Sequence, residues 1–587
     1  MRQKIVVMLT TEGTYPFHQG GVSTWCDTLV TQLDDVEYIV YSILMNPFVT
    51  QKFKLPDTAS LIKMPLWGTE EPSEHLSTPF SFNYLAKKRT TRKVIDDRFI
   101  PLFREMIEEI LSLNKDPHRL AQIIFDLHLF FQEYEYKISF KSEAAWDAFK
   151  EIVFRHHADA RNKLPRPDLY CLIQSLGWIY RFMNILNTPI PDVHIVHSSA
   201  AAFCGIPGAL AKMKNRTPFL LTEHGIYVRE QYLSLGKRDY SSFLNTFLIR
   251  LIQSVTSLNY AFADQVSPVC EYNTRWERKF EVPREKIQVI YNGVDPKLFT
   301  EAAPAPHKHP TVIAVARIDP LKDIMTLIKS AAIVRTKIPD VKFFVYGSVS
   351  VPEYYEQCLA LCAQLKLDET VVFKGHVPNV SSVYHSGDVV ALTSISEAFP
   401  YSVVEAMMSG KAIISTDVGG IREAIGNSGI LIHPRDHEAL ADGLVKLLNN
   451  PELRALYGQE GRERALSHFT LERMLEQNLK SYLKLSLGSG DRLVLPAAST
   501  DAAARTARLR RQRLYAERAY AFMLNGLYQD AIKHFQLALL EVPGSPSAPV
   551  LLMEIAEIYN QMGDFDKAFA ALDKQEILTF LLESKSA

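Results

Sequence analysis

Two glutamates, Glu397 and Glu405, stand eight positions apart after a short apolar run, Val389–Thr393. The run is typical of a buried strand, and Pro400 indicates the first turn of a helix. Glu397 is therefore expected in the loop at the strand's carboxyl end, and Glu405 on the helix. Free N–H groups at a helix start attract phosphate. Beside such a phosphate, the loop carboxylate could hold sugar hydroxyls and the helical one a ribose; two solvated carboxylates are the alternative.

Two cations, Arg317 and Lys322, follow another apolar run, Thr311–Ala316. At the carboxyl end of a strand they could clamp a diphosphate, because Arg makes planar bidentate contacts and Lys supplies a mobile point charge. Such a clamp would neutralise a leaving nucleoside diphosphate without a metal ion. The alternative is a pair of solvated surface cations.

Gly20 and Gly21 close the first loop, just before a helical pattern that starts near Val22. Adjacent glycines let a backbone approach a ligand closely and leave the helix start open to an anion. His224 follows the apolar run Pro218–Leu221, so it stands near the end of a strand, where a side chain can touch substrate. An ordinary tight turn and a structural histidine are the alternatives.

Several common catalytic patterns are absent from the sequence. There is no G-x-G-x-x-G fingerprint and no Walker A motif, so a dehydrogenase is poorly supported. No G-x-S-x-G motif indicates a hydrolase nucleophile. No Asp-x-Asp pair or His cluster has metal-ligand spacing, and none of the six cysteines has zinc-site spacing. We therefore expect neither a metal ion nor a cofactor.

The composition is that of a soluble globular protein. The chain has 587 residues, a formal net charge of −1, and 65 basic against 66 acidic side chains. Hydrophobic residues make up 47%, which excludes general disorder, and the charge balance argues against nucleic acid as a partner. Scattered cysteines favour a reducing compartment, and no signal segment or membrane-length apolar run is present. We expect a cytoplasmic protein of about three to five domains.

The elements that must position these residues form two strand–helix alternations. Strands of the first are predicted at Lys4–Leu9, Tyr38–Leu44, His194–His197 and Pro218–Thr222. Residues 75–190 are dense in Phe, Tyr, Lys and Glu and indicate helical insertions. The second alternation follows a proline-rich linker, Ala302–Pro310. Its strands are predicted at Thr311–Ala316, Lys342–Tyr346, Val371–Lys374, Val389–Thr393 and Ala412–Ser415.

This alternation predicts parallel sheets, so the expected fold class is α/β with two doubly wound, Rossmann-like domains. We place the N-terminal domain at 1–300 and the C-terminal domain at 301–486. Ligands of such sheets bind outside the carboxyl ends of the strands. The cleft between two facing domains is therefore the expected active site.

A linker at 487–504 leads to an Ala-rich, all-α segment at 505–587. The sequence Gly526–Ala531 (GLYQDA) recurs as Gly563–Ala568 (GDFDKA), 37 positions later. The offset is close to the roughly 34 residues of a tetratricopeptide unit. Two such units bury little surface on their own, so this TPR-like segment either docks a partner or caps the catalytic domains.

Taken together, the motifs resemble the family-4 glycosyltransferases, which have the GT-B architecture. Besides the residues above, the resemblance rests on Asn292–Asp295 (NGVD) and on Asp417–Gly420 (DVGG) with Glu423. A narrower resemblance, to the glycosyltransferases of Pel exopolysaccharide synthesis, covers about residues 1–485. It rests on Glu12–Pro16 with Gly20–Ser23, on Thr222–Tyr227 with Arg229-Glu230, and on Thr393–Glu397. The TPR-like segment and Ala398, where a glycine is usual, depart from that pattern.

The resemblance implies retaining transfer of a hexose or an N-acetylhexosamine from a UDP-sugar to a growing polysaccharide. Electrostatic clamping would do most of the catalysis, with no metal, no cofactor and no covalent nucleophile. The implied partners are the nucleotide sugar, the polysaccharide acceptor and, through the TPR-like segment, a polysaccharide synthesis or export complex at the inner membrane.

The implied site residues face the cleft, from the ends of strands and from the loops and helices that follow them. The catalytic residues are Glu397, Lys322, Arg317 and His224. The donor-binding residues are Glu405, Arg317, Lys322, Glu397, Gly20 and Gly21. Glu397 would contact the donor sugar and Glu405 its ribose, while Arg317 and Lys322 stabilise the leaving diphosphate. The glycine loop would approach phosphate and acceptor, and His224 would touch the sugar near the reacting carbon.

Two other functions stay open. A family member without activity could serve as a scaffold through the TPR-like segment, although the intact cations and glutamates argue against it. A GT-B enzyme could instead make a small product, such as a disaccharide, a glycolipid or a sugar phosphate.

Overall fold

The computed structural model describes residues 4–45, 48–66, 80–300, 308–377, 380–488, 502–543, 545 and 547–583. The chain forms two compact units. The larger unit comprises Met8–Leu33 and Tyr38–Asn478, and it contains every candidate site residue. The smaller unit comprises the residues up to Val7, Asp34–Glu37 and the chain from Leu479 onward.

Six strands form the first sheet. They are β1 (Ile5–Glu12), β2 (Val36–Leu44), β3 (Ala59–Pro65), β4 (Ile195–Ser198), β5 (Phe219–Glu223) and β6 (Gln265–Pro268). Their order is β3-β2-β1-β4-β5-β6, and β2–β3, β4–β5 and β5–β6 pair in parallel. Every residue of β4 and β5 is buried, as expected for parallel strands covered on both faces.

The second sheet repeats this arrangement. Its strands are β7 (Thr311–Val315), β8 (Lys342–Tyr346), β9 (Val371–Gly375), β10 (Val389–Leu392), β11 (Ala412–Thr416) and β12 (Gly429–Ile432). The order is β12-β11-β10-β7-β8-β9, and each of these neighbouring pairs is parallel. Counted from its own first strand, each sheet has the 3-2-1-4-5-6 order of a Rossmann fold. The predicted α/β class with two Rossmann-like halves is confirmed.

Helices surround the first sheet and form the insertion. They are α1 (Gly21–Gln32), α2 (Phe80–Arg89), α3 (Arg92–Val94), α4 (Ile100–Leu111), α5 (Pro117–Glu133), α6 (Tyr136–Phe140), α7 (Glu143–Ala158), α8 (Leu169–Met183), α9 (Ile206–Asn215), α10 (Tyr227–Leu235), α11 (Ser242–Phe262) and α12 (Thr274–Lys279). The predicted insertion corresponds to α2–α8, and residues 75–79 lie outside the described residues. Side chains of Asp116, Ser142 and Asp168 cap α5, α7 and α8.

Helices of the second half alternate with its strands. They are α13 (Ile324–Lys337), α14 (Pro352–Gln364), α15 (Ser381–Tyr384), α16 (Tyr401–Met408), α17 (Ile421–Ile425), α18 (His437–Leu448), α19 (Pro451–His468) and α20 (Leu471–Gly488). Most of the predicted linker before this half, residues 302–307, lies outside the described residues. The domain boundary at 300/301 therefore stays a prediction.

The C-terminal segment is helical, as predicted. It consists of α21 (Ala502–Leu524), α22 (Tyr528–Glu541), α23 (Ala548–Gln561) and α24 (Phe565–Glu583). The repeated glycines hold equivalent places between helices, Gly526 with φ 73° and Gly563 with φ 75°. The predicted linker falls mostly on residues 489–501, outside the described residues. Among the helices that the structure describes, none combines the length and the apolar character needed to cross a membrane.

The chain leaves the first half near Gly293 and returns near Thr470. The Val294 N–H donates to the Phe469 carbonyl over 2.9 Å, and the Leu471 N–H donates to the Val294 carbonyl over 2.9 Å. A Cβ on Gly293 would lie 2.5 Å from the Thr470 carbonyl oxygen and 2.8 Å from the Leu471 Cα. Because both are backbone atoms, a side chain at Gly293 could be accommodated only if one of the crossing segments moved.

We expect Gly293→Ala to destabilise the protein by about 1–3 kcal/mol, because overpacking forces the backbone to shift. Gly177→Ala is the matched control: Gly177 lies inside α8 with open space at its Cβ position. Alanine there should stabilise the helix by about 0.5–1 kcal/mol. Thermal unfolding of both variants measures the difference, and a Gly293→Ala protein as stable as the wild type would contradict the close crossing.

Candidate active site

The two central strands of the second sheet bring one predicted cation and the first predicted glutamate together. Lys322 ends the helical turn Pro320–Lys322 after β7, and Glu397 lies in the loop after β10. Lys322 Nζ lies 2.5 Å from Glu397 Oε1. The Lys322 side chain is 19% exposed and the Glu397 side chain 11%. The strand order reverses between β7 and β10. Such a switch point is where doubly wound sheets bind their ligands.

Side-chain hydrogen bonds fix the loop that carries Glu397. Ser394 Oγ donates to Glu397 Oε1 over 2.6 Å, and Thr393 Oγ1 donates to the Lys322 carbonyl over 2.8 Å. The ammonium of Lys322 and the hydroxyl of Ser394 therefore hold the same carboxylate oxygen. The other oxygen, Oε2, is the one that can accept a bond from a ligand hydroxyl.

Gly419 supports the same loop from its backbone side. Its φ of 61° lies in the left-handed region, and a Cβ there would lie 1.9 Å from the Glu397 carbonyl oxygen. The next residue, Gly420, donates its N–H to the Ala398 carbonyl over 2.7 Å. A side chain at Gly419 would therefore displace Glu397. In the sequence this glycine pair is only part of a resemblance, and the structure supplies its physical role.

Glu405 is the fifth residue of α16. The Tyr384 hydroxyl donates to its Oε2 over 2.7 Å, and burial raises the pKa of the Glu405 carboxyl. Pro400 stands at the N-cap, immediately before the helix, whereas the sequence placed it in the first turn. The buried Tyr384 thus fixes the orientation of the Glu405 carboxylate, the group that was predicted to hold a ribose.

The glycine loop of the first half lies opposite the start of α16. Gly20 is the N-cap of α1, no side chain caps this helix, and both Gly20 and Gly21 are exposed. A Cβ on Gly21 would lie 3.4 Å from the ring of Tyr401, the first residue of α16. The open N–H groups of α1 can therefore approach an anion between the two halves.

His224 directly follows β5. Its ring packs edge-to-face against Trp25 of α1, with the ring centroids 4.5 Å apart. Burial lowers the pKa of the His224 imidazole to about 3, so the ring is neutral at physiological pH. Among the described residues, its buried Nε2 has no hydrogen-bond partner. A neutral imidazole with an unsatisfied nitrogen can bond to a sugar hydroxyl.

Arg317 lies further out than Lys322. Its side chain is 64% exposed, and its guanidinium lies 3.6 Å from the Asp319 carboxylate. Lys322 is thus the cation that the structure joins to Glu397, while Arg317 faces solvent beyond the end of β7.

A hydrogen bond joins the two halves at this site. Arg229, on α10, donates from Nη1 to Ser396 Oγ over 2.8 Å. Ser396 directly precedes Glu397, and α10 begins three residues after His224. The bond therefore connects the end of β5 with the loop after β10. In the sequence, Arg229 is only part of a resemblance, because its contact joins residues 167 positions apart and no local pattern reveals it.

Glu423 of α17 makes a second connection between the halves. Its carboxylate accepts hydrogen bonds from the backbone N–H groups of Glu271 and Tyr272, over 2.8 and 3.0 Å. The Tyr291 hydroxyl donates to the same carboxylate over 3.1 Å. Glu423 therefore acts at the junction of the two halves.

Three partners of the predicted residues received no role in the sequence analysis: Ser394, Tyr384 and Trp25. Ser394 stands three positions before Glu397, a spacing at which turn side chains bond locally, so that signal was available. Tyr384 and Trp25 come from distant segments, and their contacts depend on the tertiary fold.

Two family models match the chain. Residues 5–284 match a domain of unknown function, DUF3492, and residues 297–464 match the glycosyl transferases group 1 family. Two Rossmann-like halves with a charged site between them, combined with these matches, define a glycosyltransferase of the GT-B type that uses nucleotide sugars. The match to the group 1 glycosyltransferases lies in the second half of the chain, and the DUF3492 match covers most of the first.

Known proteins share this organisation. Alpha-maltose-1-phosphate synthase of Mycolicibacterium smegmatis is 25% identical over 349 residues, which are 55% of this chain and 87% of that protein. Sucrose-phosphate synthase of Thermosynechococcus elongatus has a TM-score of 0.53 at 18% identity, over 82% of this chain and 99% of that one. HepE of Anabaena, solved in complex with UDP, has a TM-score of 0.50 at 16% identity over the same shares. At these identities the two structures show a shared fold.

We expect Arg229→Ala to lower kcat/KM for glycosyl transfer about 10-fold or more, because a lost bond to a charged group releases the loop before Glu397. Ser396→Ala should cause a similar loss. The double variant should be no worse than the more impaired single one, since both remove the same bond. Arg238→Ala is the matched control, because Arg238 is exposed and bonds to Tyr240. Losses that multiply in the double variant would contradict this coupling.

Proposed function

We propose that the protein is a retaining glycosyltransferase that moves a hexose or an N-acetylhexosamine from a UDP-sugar to a growing polysaccharide, without a metal ion. The observation that carries the proposal is the ion pair between Lys322 and Glu397 at the ends of β7 and β10. A carboxylate for sugar hydroxyls and a cation for a diphosphate stand side by side there. A nucleotide sugar presents these two groups next to each other.

In the proposed reaction, the bond between the anomeric carbon and the diphosphate breaks, and a bond to an acceptor hydroxyl forms on the same face of the sugar. Lys322 would turn from Glu397 to the leaving diphosphate, and Arg317 would add charge from the solvent side. Glu397, still held by Ser394, would keep the donor sugar in place. The leaving phosphate would take the proton of the acceptor hydroxyl, so no side chain acts as a covalent nucleophile. Preorganised charges can supply most of such a rate enhancement.

Other predicted residues fit the same donor. Glu405 would bind the ribose, since the Tyr384 hydroxyl already orients its carboxylate. His224 would bond to the donor sugar through its unsatisfied Nε2. The loop at Gly20 and Gly21 would approach the diphosphate from the first half.

The choice of UDP and of a polysaccharide rests on the resemblance of residues 1–485 to the PelF group of exopolysaccharide glycosyltransferases. HepE, which shares the fold, was solved with UDP. The helical tail, with its equivalent glycines Gly526 and Gly563, would be a TPR-like module that docks the cytoplasmic enzyme on a membrane-associated synthesis complex.

A second candidate is a GT-B enzyme that makes a small glycoside. It is favoured by the 25% identity to alpha-maltose-1-phosphate synthase, a protein named for a small product. Transfer to oligosaccharides, compared with transfer to single sugars, distinguishes the two candidates.

We expect UDP and one UDP-sugar to raise the melting temperature of the purified protein, because a ligand bound by the folded state stabilises it with the logarithm of saturation. GDP and ADP and their sugars should give smaller shifts. Lys322→Ala should remove most of the shift and lower transfer at least about 100-fold. Lys329→Ala, at an exposed position on α13, should change neither. The absence of a shift with every nucleotide would contradict the proposal.

Transfer should continue in excess EDTA, because Lys322 rather than a divalent ion would neutralise the diphosphate. NMR spectra of the product should show the anomeric configuration of the donor. Activity that is lost in EDTA and restored by Mg²⁺ would refute the metal-free site. A product of opposite configuration would refute retention while leaving glycosyl transfer intact.

A further inference from the structure

Two buried carboxyls, those of Glu223 and Glu277, meet in the first half of the molecule. Glu223 is the last residue of β5, and Glu277 lies on α12, which follows β6. Both residues are 0% exposed, and their side chains are hydrogen-bonded to each other. Glutamates are almost never fully buried unless they are paired. None of the proposed catalytic or donor-binding roles uses this pair.

Tyr260 of α11 contacts both members of the pair. Its hydroxyl donates to Glu223 Oε2 over 2.6 Å. Its ring packs against the ring of Phe280, with the centroids 5.0 Å apart, and the Phe280 N–H donates to the Glu277 carbonyl over 3.1 Å. One tyrosine therefore binds the first carboxyl directly and supports the turn that carries the second.

The bond between the two carboxyls requires a proton. In the part of the chain that the structure describes, no N–H or O–H group of another residue donates to Glu223 Oε1 or to either carboxyl oxygen of Glu277. Ionised carboxylates only accept hydrogen bonds, whereas a carboxyl that keeps its proton can donate one to its neighbour. Two negative charges at one buried place are also strongly unfavourable. The pair therefore keeps at least one proton.

We propose that Glu223 and Glu277 share a proton, and that this bond positions His224 for the reaction by fixing the end of β5 against α12. The inference rests on the proposed function, in which His224 bonds to the donor sugar. Because Glu223 directly precedes His224 in the chain, a displacement of the Glu223 side chain and backbone moves the imidazole as well. Glu223 and Glu277 are thus positioning residues, which act through the histidine and do not touch the substrate.

The helix that carries Glu277 is also joined to the second half of the molecule. The turn Glu271–Asn273 directly precedes α12. Within it, the backbone N–H groups of Glu271 and Tyr272 donate to the Glu423 carboxylate over 2.8 and 3.0 Å. The shared proton therefore connects the end of β5 with the segment that the second half binds.

Burial shifts the titration of the pair upward. It raises the pKa of Glu277 from 4.5 to about 7, and it raises the pKa of Glu223 well above its ordinary value. The folded protein thus keeps protons that the unfolded chain releases. Stability contributed by the pair is present in full below about pH 4.5 and is lost as pH rises through about 7. The other charged or titratable groups that face the pair are Tyr260, Glu230, Arg278, Glu271 and Cys270.

The first test measures melting temperature at pH 5 and pH 8 and needs neither donor nor acceptor. Glu277→Gln replaces the carboxyl by an amide that donates to Glu223 without titrating. From pH 5 to pH 8, the melting temperature of this variant relative to the wild type should rise by about 2 °C or more. Glu285→Gln, at an exposed position after α12, is the matched control and should follow the wild type. A difference for Glu277→Gln that stays the same at both pH values would overturn the shared proton.

The second test measures transfer from UDP-glucose and UDP-N-acetylglucosamine to maltotetraose and chitotetraose. Glu277→Ala should lower kcat about 10- to 100-fold, because a small misplacement of His224 is enough. The melting shift with UDP should stay unchanged, since UDP carries no donor sugar. Glu277→Gln should restore most of the activity and should keep it further into alkaline pH than the wild type, because its bond does not depend on the shared proton.

The outcomes separate the two proposals. Wild-type kcat in Glu277→Ala, or a Glu277→Gln protein as impaired as Glu277→Ala, would overturn the positioning role. Glu223→Gln should behave like Glu277→Gln, so the role can be tested even if the alanine variant does not fold. The absence of a UDP shift or of any transfer in the wild type would instead overturn the proposed function, and the melting temperatures would still decide whether the carboxyls share a proton.

Discussion

Each sheet reverses its strand order once, and at that point the loops after two adjacent strands leave to opposite faces and open a crevice. In the second sheet this crevice contains Lys322 and Glu397, both mostly buried. A buried charge is tolerated when its partner is present and becomes costly when the partner is removed. The pair therefore keeps both charges in place, and in the proposed reaction the ligand would bring a negative charge for the lysine and hydroxyls for the glutamate.

The rest of the site is arranged around this pair. Ser394 fixes the carboxylate of Glu397, Gly419 leaves room for its backbone, and Arg229 bonds to the residue before it. Ser394 belongs to the same loop as Glu397, Gly419 follows the adjacent strand β11, and Arg229 comes from the other half of the molecule. Side chains held from several directions lose little freedom when a ligand binds, which is what a preorganised site requires.

The fold could be predicted from the sequence because the central strands are short, continuous apolar runs, and the candidate residues could be placed because they follow those runs directly. The three strands that were missed, β3, β6 and β12, are all at sheet edges. β3 is largely half-exposed, while β6 and β12 have only four residues each. The fourth edge strand, β9, was found through its Val-Val-Phe run.

The contacts between segments could not be predicted in this way. Spacing along the chain identifies neighbours within a strand, a helix or a turn, but Arg229 with Ser396 and Tyr384 with Glu405 meet only after the fold has formed. The difference in exposure between the two cations also arises only in the folded chain. Arg317 and Lys322 are five residues apart, yet the turn between them buries one and exposes the other.

The crossing of the chain at Val294 and Leu471 has a mechanical consequence. The outgoing and the returning segment are tied by two backbone hydrogen bonds, so the two halves share a short double-stranded pivot. Rotation about an axis along these segments preserves both bonds, whereas sliding one half past the other would break them. An opening rotation about these segments would keep both backbone bonds, but it would stretch the contacts that join the halves elsewhere, the Arg229–Ser396 bond and the bonds from Glu271 and Tyr272 to Glu423.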